Sequence, residues 1–263
     1  VKGYLGIIRC SFLIGVVWRL NFLFTLVSNL AYIVILYFLW KSIFAGSQRL
    51  SGMSFNQVFT YMTVASSVFV LFKTWIEWFI SREILSGAIS MRLIKPLDYQ
   101  GTMLAISVGQ MLNSALIITV PSMVVLFAVF GASVPVGWNV AFFLLSLPLA
   151  YLISVLIDFS VGLTSFYTES LWGISTAKEI IVLVLSGGLI PLRFFPEEMQ
   201  RLLMYLPFQA IYHTPVSILT DPSRSIASDV GMIGIQALWA AALLAASRLF
   251  FNRALKAVTV NGG

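Results

Sequence analysis

The chain has 263 residues, 59% of them apolar, and only 10% carry charge, 16 basic and 10 acidic. A soluble domain is roughly a quarter charged, and this chain lacks the polar skin such a domain needs. The same numbers exclude disorder, and a single cysteine, Cys10, excludes a disulfide framework. What remains is an integral membrane protein.

Residues 1–20 carry Lys2, Arg9 and Arg19 among Tyr4, Leu5, Ile7, Ile8 and Phe12. Lys2 and Arg9 are seven apart and share a helical face, which predicts an amphipathic helix in the cytoplasmic interface. Uncharged runs follow at 20–40, 50–72, 99–157, 180–192 and 230–247. A bilayer core takes about 20 helical residues, so the first, second and last are single spans. The first is expected at 21–44 and the second at 55–79. The run 99–157 divides at Gly131–Gly137, around Pro135, into two spans joined by a tight turn. No alternation fits transmembrane strands, so the spans are helices.

The run 180–192 is short for a span, but a helix beginning near Trp172 completes one if Lys178 and Glu179 reach the interface. Six spans place both termini and loops 81–98 and 168–179 on one side. That side then holds ten basic residues and the other five, with Lys73 unassigned. The richer side is cytoplasmic by the positive-inside rule. The basic residues sit at helix ends beside Trp18, Trp75, Trp78 and Trp172, which points to lipid headgroups rather than nucleic acid.

Three places stand out. Lys73 and Glu77 are four apart and can pair on one helical face, and Asp158 is the only charge in the fourth span. Both are read mainly as interface anchors or locally bonded groups, and the functional reading is a charge pair or proton relay facing a route through the bundle. The loop from Ser81 to Asp98 has Ile84, Leu85, Ala88, Ile89 and Leu93 at helical spacing and is stopped by Pro96. A short amphipathic helix there either lies on lipid or docks into a partner's groove.

The third place, 193–228, is rich in proline. Prolines 191, 196, 207, 215 and 222 prevent any spanning helix. Pro196, Glu197 and Glu198 suit a helix start, Arg201 can pair with Glu197, and Met199, Leu202, Leu203 and Leu206 form a stripe. Pro207 ends this half-helix, and a second runs over Phe208–Leu219. Both are too short to cross a bilayer, so they dip into its outer face or cap it. His213 is the only histidine, which leaves a zinc site without support, and Ser186–Gly188 reads as a bend or close-packing point.

No phosphate loop, nucleophile elbow or zinc-protease motif occurs, so the chain is not expected to be an enzyme. Energy for transport then comes from an ion gradient or from another subunit. An ion-coupled secondary carrier or channel is the alternative reading, although no internal repeat is evident.

Several motifs together resemble the six-helix permease subunits of type-2 ABC transporters, particularly a bacterial branch of about this length. Trp18, Arg19, Asn21 and Phe22 resemble the step that opens its first span, and Trp40–Phe44 its outer end. Glu83 through Gly87, then Lys95, Pro96 and Leu97, resemble its inner loop, and Phe166–Glu169 the element after its fourth span. The most specific match is Ser186–Pro196, with Pro191 and Phe195, followed by Leu206–Pro215 with Pro207 and Phe208. Thr220-Asp221-Pro222 departs from the branch, which often has a glycine there.

The resemblance implies a single all-α transmembrane domain over 1–263: six spans, an N-terminal interfacial helix, and two outer half-helices between the fifth and sixth. It implies a homo- or heterodimer of permeases in the bacterial inner membrane, both termini cytoplasmic, each docked on a separate ABC ATPase subunit that holds ATP and Mg. The chain itself would hold no cofactor. A coupling helix would include Glu83, Ile84, Gly87, Ile89, Arg92, Lys95, Pro96 and Leu97. The outer gate would include Pro191, Phe195, Pro196, Glu197, Glu198, Pro207, Phe208 and Pro215. The family mostly exports hydrophobic or amphipathic compounds, lipids or glycans.

Overall fold

A computed structural model describes residues 2–17, 19–130, 137–221 and 223–257, except the side chains at 19–22, 126, 127, 130 and 257. The expected turn at 131–136, Trp18, the side chains of Arg19, Asn21 and Phe22, and Pro222 therefore lie outside the described residues. Among the described residues the regular structure is helical apart from a hairpin of two-residue strands, Arg49–Leu50 with Met53–Ser54. In order, the helices are α1 (Lys2–Val17), α2 (Arg19–Ile43), α3 (Phe55–Phe72), α4 (Ile76–Leu85), α5 (Ile89–Leu93), α6 (Tyr99–Ser114), α7 (Val120–Phe130), α8 (Trp138–Leu163), α9 (Trp172–Leu185), α10 (Glu197–Tyr205), α11 (His213–Thr220) and α12 (Ile226–Ala254). A π-helical stretch, Ala115–Thr119, joins α6 to α7.

Among the described residues, five stretches are long and apolar enough to cross a membrane: Leu23–Gly46, Phe55–Leu85, Tyr99–Val125, Trp138–Phe166 and Ile226–Ala254. This is an all-α, multi-pass membrane protein. Each stretch is apolar on nearly all sides, because lipid and neighbouring helices both favour apolar side chains. Burial therefore separates them better than composition does. Over an apolar 18-residue part of each, Phe55–Leu85 has 72% of its residues buried and Ile226–Ala254 only 17%, so the first is central to the bundle and the second lies at its wall.

The second stretch is not the continuous helix expected over 55–79. It breaks at Lys73, where ψ is 109°, and restarts at Ile76, continuing to Leu85. Its start is firm: Ser54 and Gln57 form a reciprocal capping box.

The N-terminal helix also differs from expectation. Tyr4 accepts the Asp98 N–H at 3.1 Å, Ser11 donates to the Ile106 carbonyl at 2.8 Å, and Asn113 donates to the Phe12 carbonyl at 3.0 Å. These rising pairs run α1 parallel to α6 along its whole length. The helix follows α6 instead of lying across it. Gly109 is the reason it can approach: a Cβ there would sit 2.6 Å from the Ile8 carbonyl oxygen.

α9 stops at Leu185, where the expected helix ran on toward 192. It has 14 residues, about 21 Å at 1.5 Å per residue, and is not among the five long stretches. Gly187, at φ +77°, then turns the chain, so Ser186–Gly188 forms the anticipated bend.

Candidate functional site

The loop after α4 comes first. Gly87, at φ +73°, breaks the helical register expected from Ile84 to Leu93, and only the five-residue α5 follows. The apolar stripe is divided accordingly. Ile89 is buried and Ile84 packs on the core, while Leu85, Met91, Leu93 and Ile94 are exposed. Lys95 and Pro96 are exposed too, and Leu97 lies against Gly3 of α1.

Glu83 is not a surface contact of this loop. It is buried beneath it, accepting from Arg92 Nε and, at 3.0 Å, from the Tyr99 hydroxyl. Arg92 lies 5.0 Å over the Phe79 ring, and Tyr99 stacks at 5.4 Å on Phe251 of α12. One carboxylate thus ties the end of α4, the end of α5 and the start of α6. At the loop's exit, Asp98 caps α6 by accepting the Gly101 N–H at 2.8 Å and pairs with Arg248 of α12. A polar-locked base presents an apolar tip.

The intramembrane charges form a different arrangement from the one expected. Lys73 and Glu77 do not pair with each other, because the break between α3 and α4 destroys their i, i+4 register. Both reach α9 instead: Lys73 lies 2.5 Å from Glu179, and Glu77 lies 3.1 Å from Lys178. Lys178 also lies 2.6 Å from Asp158 of α8, which accepts from Thr74 in the break at 3.2 Å. Ser175 donates to Glu77 at 3.3 Å. Asp158 is therefore bound on two sides and is no isolated carboxylate. Two lysines and three carboxylates hold three segments together; Glu77, Asp158 and Lys178 are buried, so these charges depend on one another, while the Lys73–Glu179 pair is more exposed. The sequence places Lys178 and Glu179 at the interface, and partners 20, 101 and 106 residues away leave no helical spacing signal.

The proline-rich segment lies at the opposite end from the loop. Trp40, at the end of α2, packs 5.4 Å from Phe194, and Arg193 lies 2.5 Å from Asp221. Pro191 is buried, and Phe195 is half-buried with its carbonyl accepting from Gln200 at 2.7 Å. Pro196 precedes α10, which begins with Glu197 and Glu198, both exposed; Glu197 pairs loosely with Arg201 at 3.7 Å. Of the expected stripe only Leu203 is buried, while Met199 and Leu202 face outward. α10 thus buries Leu203 and ties its Gln200 amide to the preceding turn, leaving Met199 and Leu202 exposed.

The second half-helix, α11, is different again. Every residue from His213 to Leu219 is buried, so it enters the bundle instead of covering it. Pro207 starts the turn at half-buried Phe208, and Pro215 sits in the first turn of α11, where its missing N–H costs nothing. The His213 N–H donates to the Ser186 carbonyl at 2.9 Å, and its Nδ1 lies 3.4 Å from the Tyr61 hydroxyl. Burial, then the charges of Arg224 and Arg193, lower its pKa to about 4, so the ring is neutral near pH 7. Gln236 of α12 donates to the Ala210 carbonyl at 2.7 Å and accepts from Ser146 of α8 at 2.9 Å. Asp221 follows α11 and accepts the Ser223 N–H at 3.1 Å and the Ser223 hydroxyl at 2.6 Å.

A search of curated proteins finds no match to this chain. Residues 30–262 match the family described as ABC-2 family transporter protein, which takes in the loop, the charge cluster and the proline-rich segment. The chain thus belongs to the ABC-2 transporter family, as a membrane permease subunit.

Proposed function

We propose that this chain is the membrane half of an ATP-driven exporter of hydrophobic or amphipathic compounds, lipids or glycans, moved by a separate ABC ATPase. An ABC-2 permease works with such an ATPase and is generally non-catalytic. The observation that carries the reading is the loop: Glu83 locks its base while Met91 and Ile94 stand exposed at its tip, 68% and 79%. An apolar knob on a rigid base fits a groove and passes movement to the bundle. The knob connects through α4 to the broken second stretch and its charge cluster, and from there to α9.

Six crossings and a cytoplasmic loop fit this reading. Tyr4, Asp98 and Arg248 meet at one end, whereas Trp40, Phe194 and Asp221 lie toward the other. α9 with residues 186–192 then completes the sixth passage, and the positive-inside count makes the loop end cytoplasmic in a bacterial inner membrane. The exposed walls of α2 and α12 suit lipid or a second permease, and α10 and α11 serve as the outer gate. The test is Met91→Asp with Ile94→Asp in the full chain. The variant is expected to fold and to lose its co-purifying ATPase; retention of the ATPase would refute the docking role.

A further inference from the structure

Two grooves of about 440 and 480 Å3 adjoin along α4, each within the roughly 300–1,000 Å3 of small-molecule sites. Trp78 and Arg82 line both. Trp75 and Phe79 complete the first, and Glu169 with Trp172, from the turn after α8 and the start of α9, stand in the second. Trp78 and Arg82 are four apart and share a face of α4. Arg82 and Glu169 are both exposed. Among the described residues neither side chain makes an ion pair or a hydrogen bond, with the other or with any third group.

These free charges select the occupant. A groove that keeps one cation and one anion apart complements a zwitterion better than a purely anionic group, which Glu169 repels. The guanidinium of an arginine matches a phosphate with paired N–H donors. A carboxylate takes a charge-assisted hydrogen bond from a primary ammonium, whereas a quaternary ammonium has no N–H to give. The indole face of Trp172 attracts the same cation. The depth agrees: Trp75 and Trp172 are 61% and 68% exposed, and exposed indoles settle at the level of lipid headgroups. Trp78 and then Trp75 lie successively farther than Arg82 from the loop end of α4, giving an apolar wall beneath the charged one.

We propose that these grooves bind one zwitterionic glycerophospholipid with a primary-amine headgroup. Its phosphate lies on Arg82, its ammonium reaches Glu169 and Trp172, and its acyl end runs over Trp78 and Trp75. The site belongs to this chain alone and is independent of the ATPase, so it stands or falls separately from the transport reading.

The full chain in mild detergent is titrated with phosphatidylethanolamine or with phosphatidylcholine of the same acyl chains, and bound lipid is counted by native mass spectrometry. The two headgroups carry the same charges and differ in their N–H donors. Phosphatidylethanolamine is expected to bind about fivefold tighter, the factor that one hydrogen bond carries. Glu169→Ala, with an unchanged melting temperature, is expected to abolish that preference, and Arg82→Gln to weaken both lipids equally. Arg9→Gln, which removes an exposed cation from α1, is expected to change neither. Equal affinities in the unaltered chain, a preference kept in Glu169→Ala, or the same weakening in Arg9→Gln as in Arg82→Gln would overturn the proposal. So would displacement of phosphatidylethanolamine by an equal concentration of free glycerophosphoethanolamine, which would replace the lipid with a soluble ligand.

Discussion

Lys178 Nζ lies 2.6 Å from Asp158 Oδ1, joining α9 to α8, and the same ammonium holds Glu77 at 3.1 Å. One lysine therefore neutralises two carboxylates on two other segments. Lys178→Met strands both, and a lost partner of a buried pair costs about 3–5 kcal/mol. The expected result is a marked fall in melting temperature in mild detergent, with much of it recovered in Lys178→Met combined with Asp158→Asn. An unchanged single variant would show that the cluster is solvated.

Glu83 gives a different kind of prediction, because it fixes the loop without touching a partner. Glu83→Ala frees Arg92 and the Tyr99 hydroxyl, so the tip should lose its set position while the fold persists. ATP hydrolysis by the assembled transporter should then continue with transport reduced about tenfold, the cost of one charged hydrogen bond. Tyr99→Phe, which removes one of the two donors, should have the smaller effect. Comparing hydrolysis with transport in the same proteoliposomes checks both.

Two glycines separate backbone strain from crowding. At Gly87 a Cβ has open space, so Gly87→Ala acts only through its φ of +73° and should cost about 1–2 kcal/mol. Gly109 is at an ordinary helical φ but a Cβ would strike the Ile8 carbonyl. Gly109→Val should part α1 from α6 with little loss of helix elsewhere. Proteolysis within residues 2–17 measures this: faster cleavage is expected for Gly109→Val and unchanged cleavage for Gly87→Ala.

His213 carries a pH dependence. Its folded pKa of about 4 lies below the ordinary 6.5, so the unfolded chain binds the proton more readily. The stability this neutral ring contributes is present above pH 6.5 and is lost as pH falls from there toward 4. Melting temperature should drop across that window, and His213→Gln should flatten this part of the profile. An identical profile in the variant would exclude His213 as the cause.

Much of this architecture is legible in the sequence. Charge-free runs mark the long helices because a bilayer penalises charge over a fixed length, and prolines 191, 196 and 207 mark where helices are interrupted, whereas Pro215 sits in the first turn of α11. The coupling loop is visible from Glu83, Gly87 and Pro96, but the direction each side chain faces is not. Helical spacing puts Ile89 on one stripe with Leu85 and Leu93, whereas after the positive φ of Gly87 only Ile89 of these three is buried. The break at Lys73 is illegible because no glycine or proline marks it, and Lys73, Thr74 and Glu77 find partners on α8 and α9 far along the chain. Membership of α11 in the core was hidden by its shortness, since only tertiary packing can bury an eight-residue helix completely.

The central claim is that the bundle is driven by a motor it does not contain. The most direct measurement is purification from the native host in gentle detergent, with identification of every co-purifying chain and transport assayed in liposomes with and without them. The account predicts an ABC ATPase bound to the permease and transport only when that ATPase and ATP are present. A permease that comes out alone and transports on an ion gradient would contradict it.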